Sequence, residues 1–502
     1  MTDDSTSKRM KVIRGARVLD APAHSADKRD LLVNNGLIVE VGPPDMAAPP
    51  DAEIVRATDQ LLIPGLINAH SHGHGSLSKG LGDRWSLELL LNAGPWLNAE
   101  RTVHDKYVSA VLNAVELARK GCTAVYDLYA EFPIPSAEGI DAVARGYHDV
   151  GIRAVIAPMI ADRTLVEAIP GLADALPSRE RSQLERIGLA PAQQTLSACR
   201  NIASNWRYDR ALIRPAIAPT IPLHCSDEFI IGSKIIAEEF DLSLHTHLAE
   251  SRVQAISGLR RYGKTLTAHL DDLGFLGPNV TAAHCVWLDD DDIARLAYRG
   301  CKVAHNPGSN LRLGSGVARV HKIADRGVTV GIGTDGAQCS DHQNMFEAMR
   351  LASFVSRIQM SDVNNWMSTQ DIVRMATSGS AAALGFGDMI GRLSAGAKAD
   401  IVFLDLSNIN FVPLNDPTNQ LVHSEDGSAV RNVMVDGKFV VRDGRLTTVD
   451  YDDLRAKVEN AVSRLVSANA ERRAFAERLE QHIATFCVGL AREPYHIRQW
   501  LA

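Results

Sequence analysis

Apolar positions along the chain keep two rhythms. Over residues 11–58 they fall in short alternating runs, KVIRGARVLD, RDLLVNNGLIVEVG and DAEIVRAT, with Asn34-Asn35-Gly36 as a hairpin turn. The same rhythm returns in KADIVFLDL and VRNVMVDGKFVVRDGRLTTV, where Asp436-Gly437 and Asp443-Gly444 supply the turns. Between these flanks lie eight strand-like runs: LLIPGLINAHSH, GCTAVYDLYA, GIRAVIAPMI, ALIRPAIAPT, LSLHTHLAE, NVTAAHCVWL, GCKVAHNP and VTVGIGTDG. Helical patterns such as DKYVSAVLNAVELARK and DDDDIARLAYR separate most of them. Strands alternating with helices form parallel sheets, and eight such units predict an α/β chain built on a (β/α)8 TIM barrel.

The two β-rich flanks predict one composite β-sandwich made from both ends of the chain. Residues 1–63 and 391–449 are expected to form it, around a barrel at 64–390. The charged, periodic stretch DLRAKVENAVSRLVSANAERRAFAERLEQ predicts a helical tail over 450–502, docked on the barrel or on a partner subunit. Two connections, residues 73–100 after the first strand and 161–210 after the third, are longer than a normal βα loop. Such segments cover the C-terminal face of a barrel, where ligands bind.

The ends of the predicted strands are unusually polar. The first ends in His70-Ser71-His72, the fifth in His245-Thr246-His247 with Glu250 beyond, and the sixth in His284. The seventh ends in His305-Asn306 and the eighth in Thr334-Asp335. Residues two apart on a strand share a face, and a barrel gathers all these ends at one mouth. A lone histidine is more often structural than a ligand. An H-x-H pair joined by a further histidine and an aspartate is a nitrogen and oxygen set suited to one divalent metal ion, Zn2+ or Fe2+. His70 and His72 are therefore read as ligands. His74 lies beyond the strand, in a role supporting the ligands or touching substrate. His245 sits one layer deeper, as a packed interior histidine or a support for the ligands. Asn306 and Asn310 shape the turn-rich loop with PGSN, Asn306 being also a candidate substrate contact, and Trp85 and Trp96 pack the first long loop or stack on a planar substrate.

Bulk numbers narrow the class without changing it. Apolar residues make up 45% and charged residues 23%, as in ordinary globular proteins, and a net charge of −7 with scattered basic residues excludes a nucleic-acid binder. No stretch approaches the roughly 18–20 apolar residues of a membrane span, and the polar start MTDDSTSKRM does not read as a secretory signal. Cys122, Cys199, Cys225, Cys285, Cys301, Cys339 and Cys487 form no C-x-x-C pair, which fits reduced thiols in a cytoplasmic protein. A homo-oligomer, dimer or higher, is the expected assembly.

The stretches IPGLINAHSH, HTHLAES, AHCVWLDDDDI, AHNPGSNLRLGSG, IGTDG and IGRLSAGAKADIVFLD run in order over most of the chain. Together they resemble the amidohydrolase superfamily, in its triazine-hydrolase and cytosine/adenosine-type deaminase branch. The resemblance implies His70, His72, His247 and Asp335 as metal ligands, His284 as the group orienting the reacting centre, and Glu250 as proton carrier. It also implies a single metal, because the fourth strand offers no lysine of the kind that bridges two. Asp335 would take the proton of the attacking water, while His284 would stabilise the developing negative charge. Where many of these deaminases carry a substrate-binding histidine, this chain has Thr220; the residues after Asp335 also depart from the usual pattern. The expected activity is metal-dependent hydrolysis of a non-peptide C–N bond, by deamination of a nitrogen heterocycle. The alternatives are hydrolysis of an amide, urea, carbamate or C–Cl bond at the same centre, and a non-catalytic barrel scaffold.

Overall fold

The computed structural model describes residues 10–184 and 188–497; the polar start and the last five residues of the tail lie outside them. The eight runs become eight strands, Leu66–Ser71, Cys122–Ala130, Arg153–Ile160, Ile213–Pro219, Ser243–Leu248, Val280–His284, Lys302–His305 and Thr329–Ile332. All are parallel and paired in chain order. Side chains close the ring between the eighth strand and the first. Asn68 Oδ1 accepts from the Thr334 N–H at 3.1 Å, and its Nδ2 donates to Thr334 Oγ1 at 2.7 Å. The Asp335 N–H then donates to the His70 carbonyl at 2.9 Å. Gly333 permits this approach, since a Cβ there would meet His70 Cβ at 2.8 Å and His70 N at 2.9 Å.

The run LLIPGLINAHSH proves to be two strands. Gln60–Pro64 pairs antiparallel with Ile401–Asp405 outside the barrel, and Leu66–Ser71 begins the ring after Gly65. The apolar pattern does not break between them because both sides of the junction are buried.

The chain ends meet in one nine-stranded sheet. Lys11–Asp20, Ser25–Asn34, Leu37–Gly42 and Glu53–Arg56 come from the front, and Ile401–Asp405, Val430–Val435, Lys438–Arg442 and Arg445–Leu446 from the back, joined through Gln60–Pro64. The sheet curls around its own core, in which Ile13, Leu31 and Ile38 pack with Ile401, Phe403 and Met434. Arg153, at the start of the third barrel strand, ties this unit to the barrel. Its buried guanidinium donates to both Asp400 oxygens at 2.8 and 3.0 Å and to Asp436 at 3.2 Å.

Two helices, Tyr451–Ala468 and Ala470–Ala491, form the tail. The second lays Phe475, Leu479, Ile483, Cys487 and Leu490 against Ile169, Leu172, Val253 and Ile256, so the tail docks on its own barrel over the long third loop. Its main chain also accepts a hydrogen bond at Ala476 from Asn92 Nδ2, 3.0 Å away, in the long first loop. Among the described residues no helix is long and apolar enough to cross a membrane.

Candidate metal centre

Alternation along the barrel strands decides which side chains face the mouth except where the backbone breaks it, as in the first strand, whose register shifts between Asn68 and Ser71. His245 and His247 point inward because Leu244 and Leu248 join the outer core under the helices. Ala282 also joins that outer core, so strict alternation would turn His284 outward. The backbone corrects this: His284 and Cys285 adopt φ of 69° and 52°. Asp335 and Ala249, which precedes Glu250, likewise take left-handed φ of 63° and 46°. Such conformations are costly for residues with a Cβ and collect at functional sites. Small interior residues, Ala124, Ala157, Ala216, Ala218 and Ala304, occupy positions where a barrel usually carries branched side chains, leaving room for imidazoles.

The hydrogen bonds determine where protons sit on two of these rings. His72 Nδ1 lies 2.8 Å from the Leu128 carbonyl and His247 Nδ1 lies 2.5 Å from the Thr220 carbonyl. A carbonyl only accepts, so both Nδ1 atoms carry hydrogen, and in the neutral form such a ring presents its lone pair at Nε2. Those two Nε2 atoms face each other at 3.2 Å with no proton to share. Asp335 Oδ1 is 3.3 Å from His72 Nε2 and 3.7 Å from His70 Nε2, itself buried without a hydrogen-bond partner. Four electron-rich atoms crowded in this way repel one another unless a cation lies among them. Ligands of a tetrahedral Zn2+ at about 2.0–2.1 Å stand about 3.3 Å apart, which matches this spacing. The donor set fits one divalent metal ion.

Electrostatics agree. Burial, followed by repulsion from neighbouring imidazoles, pushes His70 well below its usual pKa and lowers His247, so both stay neutral. Burial alone would raise Asp335, but the nearby His72 and His284 rings, the neighbouring Ser309 hydroxyl and His247 outweigh it and hold its pKa below the usual carboxylate range. Glu250 behaves oppositely: burial, then the charges of Asp335 and Glu88, drive its pKa well above the usual range. Glu250 Oε2 lies 3.5 Å from His284 Nε2, and Asp335 Oδ2 lies 3.7 Å from the same nitrogen. Two carboxyl groups thus flank one imidazole, with their proton affinities pushed apart.

The sequence around Glu250 explains its placement. Ser251 caps the helix Arg252–Tyr262 by accepting from the Gln254 N–H, and Gln254 Oε1 accepts from the Glu250 N–H at 2.9 Å. Helix and strand thereby pin the backbone on both sides of the carboxyl group.

Other expected residues divide by location. His74 is buried beside His72; its Nδ1 accepts from the Ala130 N–H at 3.1 Å and its carbonyl from Arg101 at 2.6 Å, so it secures the first loop to the second strand. Thr220 acts on His247 through its main chain. Asn306 Nδ2 lies 3.4–3.5 Å from both nitrogens of His284, while Asn310 Oδ1 accepts from His284 Nδ1 at 2.8 Å. Trp85 and Trp96 stand edge to face at 6.4 Å and line a cleft with Arg473, Glu477 and Glu480 of the tail. Three buried groups escaped the sequence reading. Glu88 accepts from Ser251 at 2.7 Å beside Glu250. Gln343 joins Ser71, Thr334 and the Asp335 carbonyl at 2.6–2.9 Å. Asp127 accepts from the Gly73 N–H at 2.7 Å. Only Gln343 carried a signal, lying in the unusual stretch after Asp335.

Residues 61–440 match the amidohydrolase family. This chain belongs to that family. The amidohydrolase is 33% identical over 456 residues to a 5'-deoxyadenosine deaminase of Methanothermobacter thermautotrophicus, covering 90% of this chain and 98% of the other. It is 32% identical to a 5-methylthioadenosine/S-adenosylhomocysteine deaminase of Syntrophobacter fumaroxidans, over 88% of this chain and 94% of the relative. An adenosine deaminase from Xanthomonas campestris with bound zinc superposes with a TM-score of 0.80 at 28% identity, over 91% and 98% of the two chains. A zinc-bound atrazine chlorohydrolase variant from Arthrobacter aurescens gives 0.80 at 26% identity, over 90% and 99%. The amidohydrolase described here is a metal-dependent hydrolase acting on carbon–nitrogen bonds other than peptide bonds.

Proposed function

We propose that this enzyme deaminates an amino-substituted nitrogen heterocycle of the adenine nucleoside type, with His70, His72, His247 and Asp335 holding a single Zn2+ ion. The observation that carries the reading is the pair of Nε2 atoms of His72 and His247, 3.2 Å apart beside Asp335, with the buried Glu250 carboxyl group 3.5 Å from His284 Nε2. The deaminase relatives favour an adenosine derivative as substrate.

When bound, the metal supplies a water whose pKa falls to about 7 and polarises the carbon under attack. Asp335, facing the ligand cluster with one oxygen and His284 with the other, accepts the water's proton. Glu250 gives its proton to a ring nitrogen and then carries one to the departing amine, acting as acid and base in turn. Asn310 Oδ1 already holds the Nδ1 proton of His284. Once Nε2 takes over from Asp335 the proton drawn from the water, the imidazolium stabilises the negative charge that develops on the reacting carbon's oxygen as Glu250 moves that oxygen's proton to the amine, and it then returns its own proton to Glu250. A C–O bond forms, the exocyclic C–N bond breaks, and ammonia leaves. Thr220 and Asn306, bordering His247 and His284, line the substrate's reacting edge.

A second reading, release of another leaving group such as chloride from a triazine ring, is favoured by the equal TM-score to the atrazine chlorohydrolase. Incubating zinc-loaded enzyme with adenosine, 5'-deoxyadenosine, 5-methylthioadenosine and chloro- and amino-triazines separates the two. Ammonia release from the nucleosides is expected. Chloride release alone would support the second reading, and turnover of none of them would overturn both.

A further inference from the structure

The three histidines assigned to the metal differ in what holds their far nitrogen. His72 and His247 each donate from Nδ1 to a main-chain carbonyl, Leu128 and Thr220. His70 has no carbonyl in that position. Its Nδ1 lies 3.2 Å from Nε2 of His245, which sits two residues before His247 on the fifth strand and is fully buried. Of the three supports, only this one is a side chain.

The direction of that bond follows from the nitrogens left over. Placing the His70 proton on Nε2 would leave it 3.7 Å from Asp335 Oδ1, too far to bond, and aimed into the cluster of lone pairs. With the proton on Nδ1, His70 adopts the same tautomer as His72 and His247, and all three Nε2 lone pairs face inward. His245 then carries its own proton on Nδ1, which has no hydrogen-bond partner. Tyr126 stands perpendicular to the His245 ring, 4.5 Å away, and its hydroxyl is paired with Ser243 at 2.9 Å rather than with the imidazole. His245 therefore bears an unsatisfied buried N–H, a cost that a purely structural residue would avoid.

We propose that His245 is a positioning residue for the metal centre: its Nε2 accepts the Nδ1 proton of His70 and so keeps the His70 Nε2 lone pair turned toward the ion. The inference rests on the reading of His70 and His247 as ligands. Outer partners of metal-binding histidines fix tautomer and ring orientation, and their loss weakens metal binding about 10–100-fold. Glutamine can offer an acceptor near the position of Nε2, whereas leucine fills the space without one.

Zinc dissociation constants by chelator competition, for wild type, His245→Gln, His245→Leu and His247→Ala, test it. His245→Leu should bind zinc about 10–100-fold more weakly and His245→Gln within a few-fold of wild type. Equal affinity in His245→Leu, or equal loss in both His245 variants, would overturn the proposal. If His247→Ala loses zinc while His245→Leu keeps it, only this inference fails; if His247→Ala binds zinc fully, the ligand assignment fails instead. Should His245→Leu not fold, 15N NMR of the metal-free wild type decides, with the His70 ring identified by its absence in His70→Gln. A protonated Nδ1 on His70 supports the proposal, and a protonated Nε2 ends it.

Discussion

Glu250→Gln is expected to retain its full complement of metal and to lose at least about 10²-fold in kcat, the scale set by a general acid–base group. Glutamine matches glutamate in volume and keeps an oxygen and a donor, so the cap from Ser251 and Gln254 survives. What it lacks is a transferable proton. The carboxyl group is suited to that task because burial, then the charges of Asp335 and Glu88, raise its proton affinity well above that of an ordinary carboxylate. KM should change little beside kcat, since the loss falls on proton movement and not on binding. A variant with unchanged kcat and normal metal content would remove Glu250 from the chemistry.

His247→Ala is expected to have the largest effect on the metal itself. The substitution removes one of the inward lone pairs and leaves the Thr220 carbonyl without its donor. Purified variant should contain little zinc by elemental analysis and show only background turnover. Thermal melting provides an independent readout. A ligand that binds only the folded state stabilises it by about 2.7 kcal/mol at a hundredfold excess over its Kd. Wild type should therefore gain melting temperature on adding zinc after chelation, and His247→Ala should not. Full zinc occupancy in the variant would show that His247 is not a ligand.

Much of this was legible in the chain. Strand-to-helix alternation exposed the barrel, and period-two spacing brought His70 to His72 and His245 to His247. The curled sheet shared by both ends was readable from repeated turn signals such as Asn35-Gly36 and Asp436-Gly437. The junction at Gly65 was not, since a buried strand of one sheet ran into a buried strand of another without a polar break. His284 exposes a second limit. Alternation alone points it outward, and only its left-handed backbone turns it in, a conformation no residue pattern announces. Glu88 and Asp127 were hidden for a third reason, because their partners lie far along the chain and ordinary polar residues carry no mark of the contacts they will make.

Anomalous diffraction at the zinc absorption edge, from crystals grown with zinc, bears most directly on the metal centre. A single peak should lie among Nε2 of His70, His72 and His247 and the Asp335 carboxylate, about 2.0–2.2 Å from each. A peak held by other residues, or none among these four, would contradict the metal centre and the chemistry assigned to it.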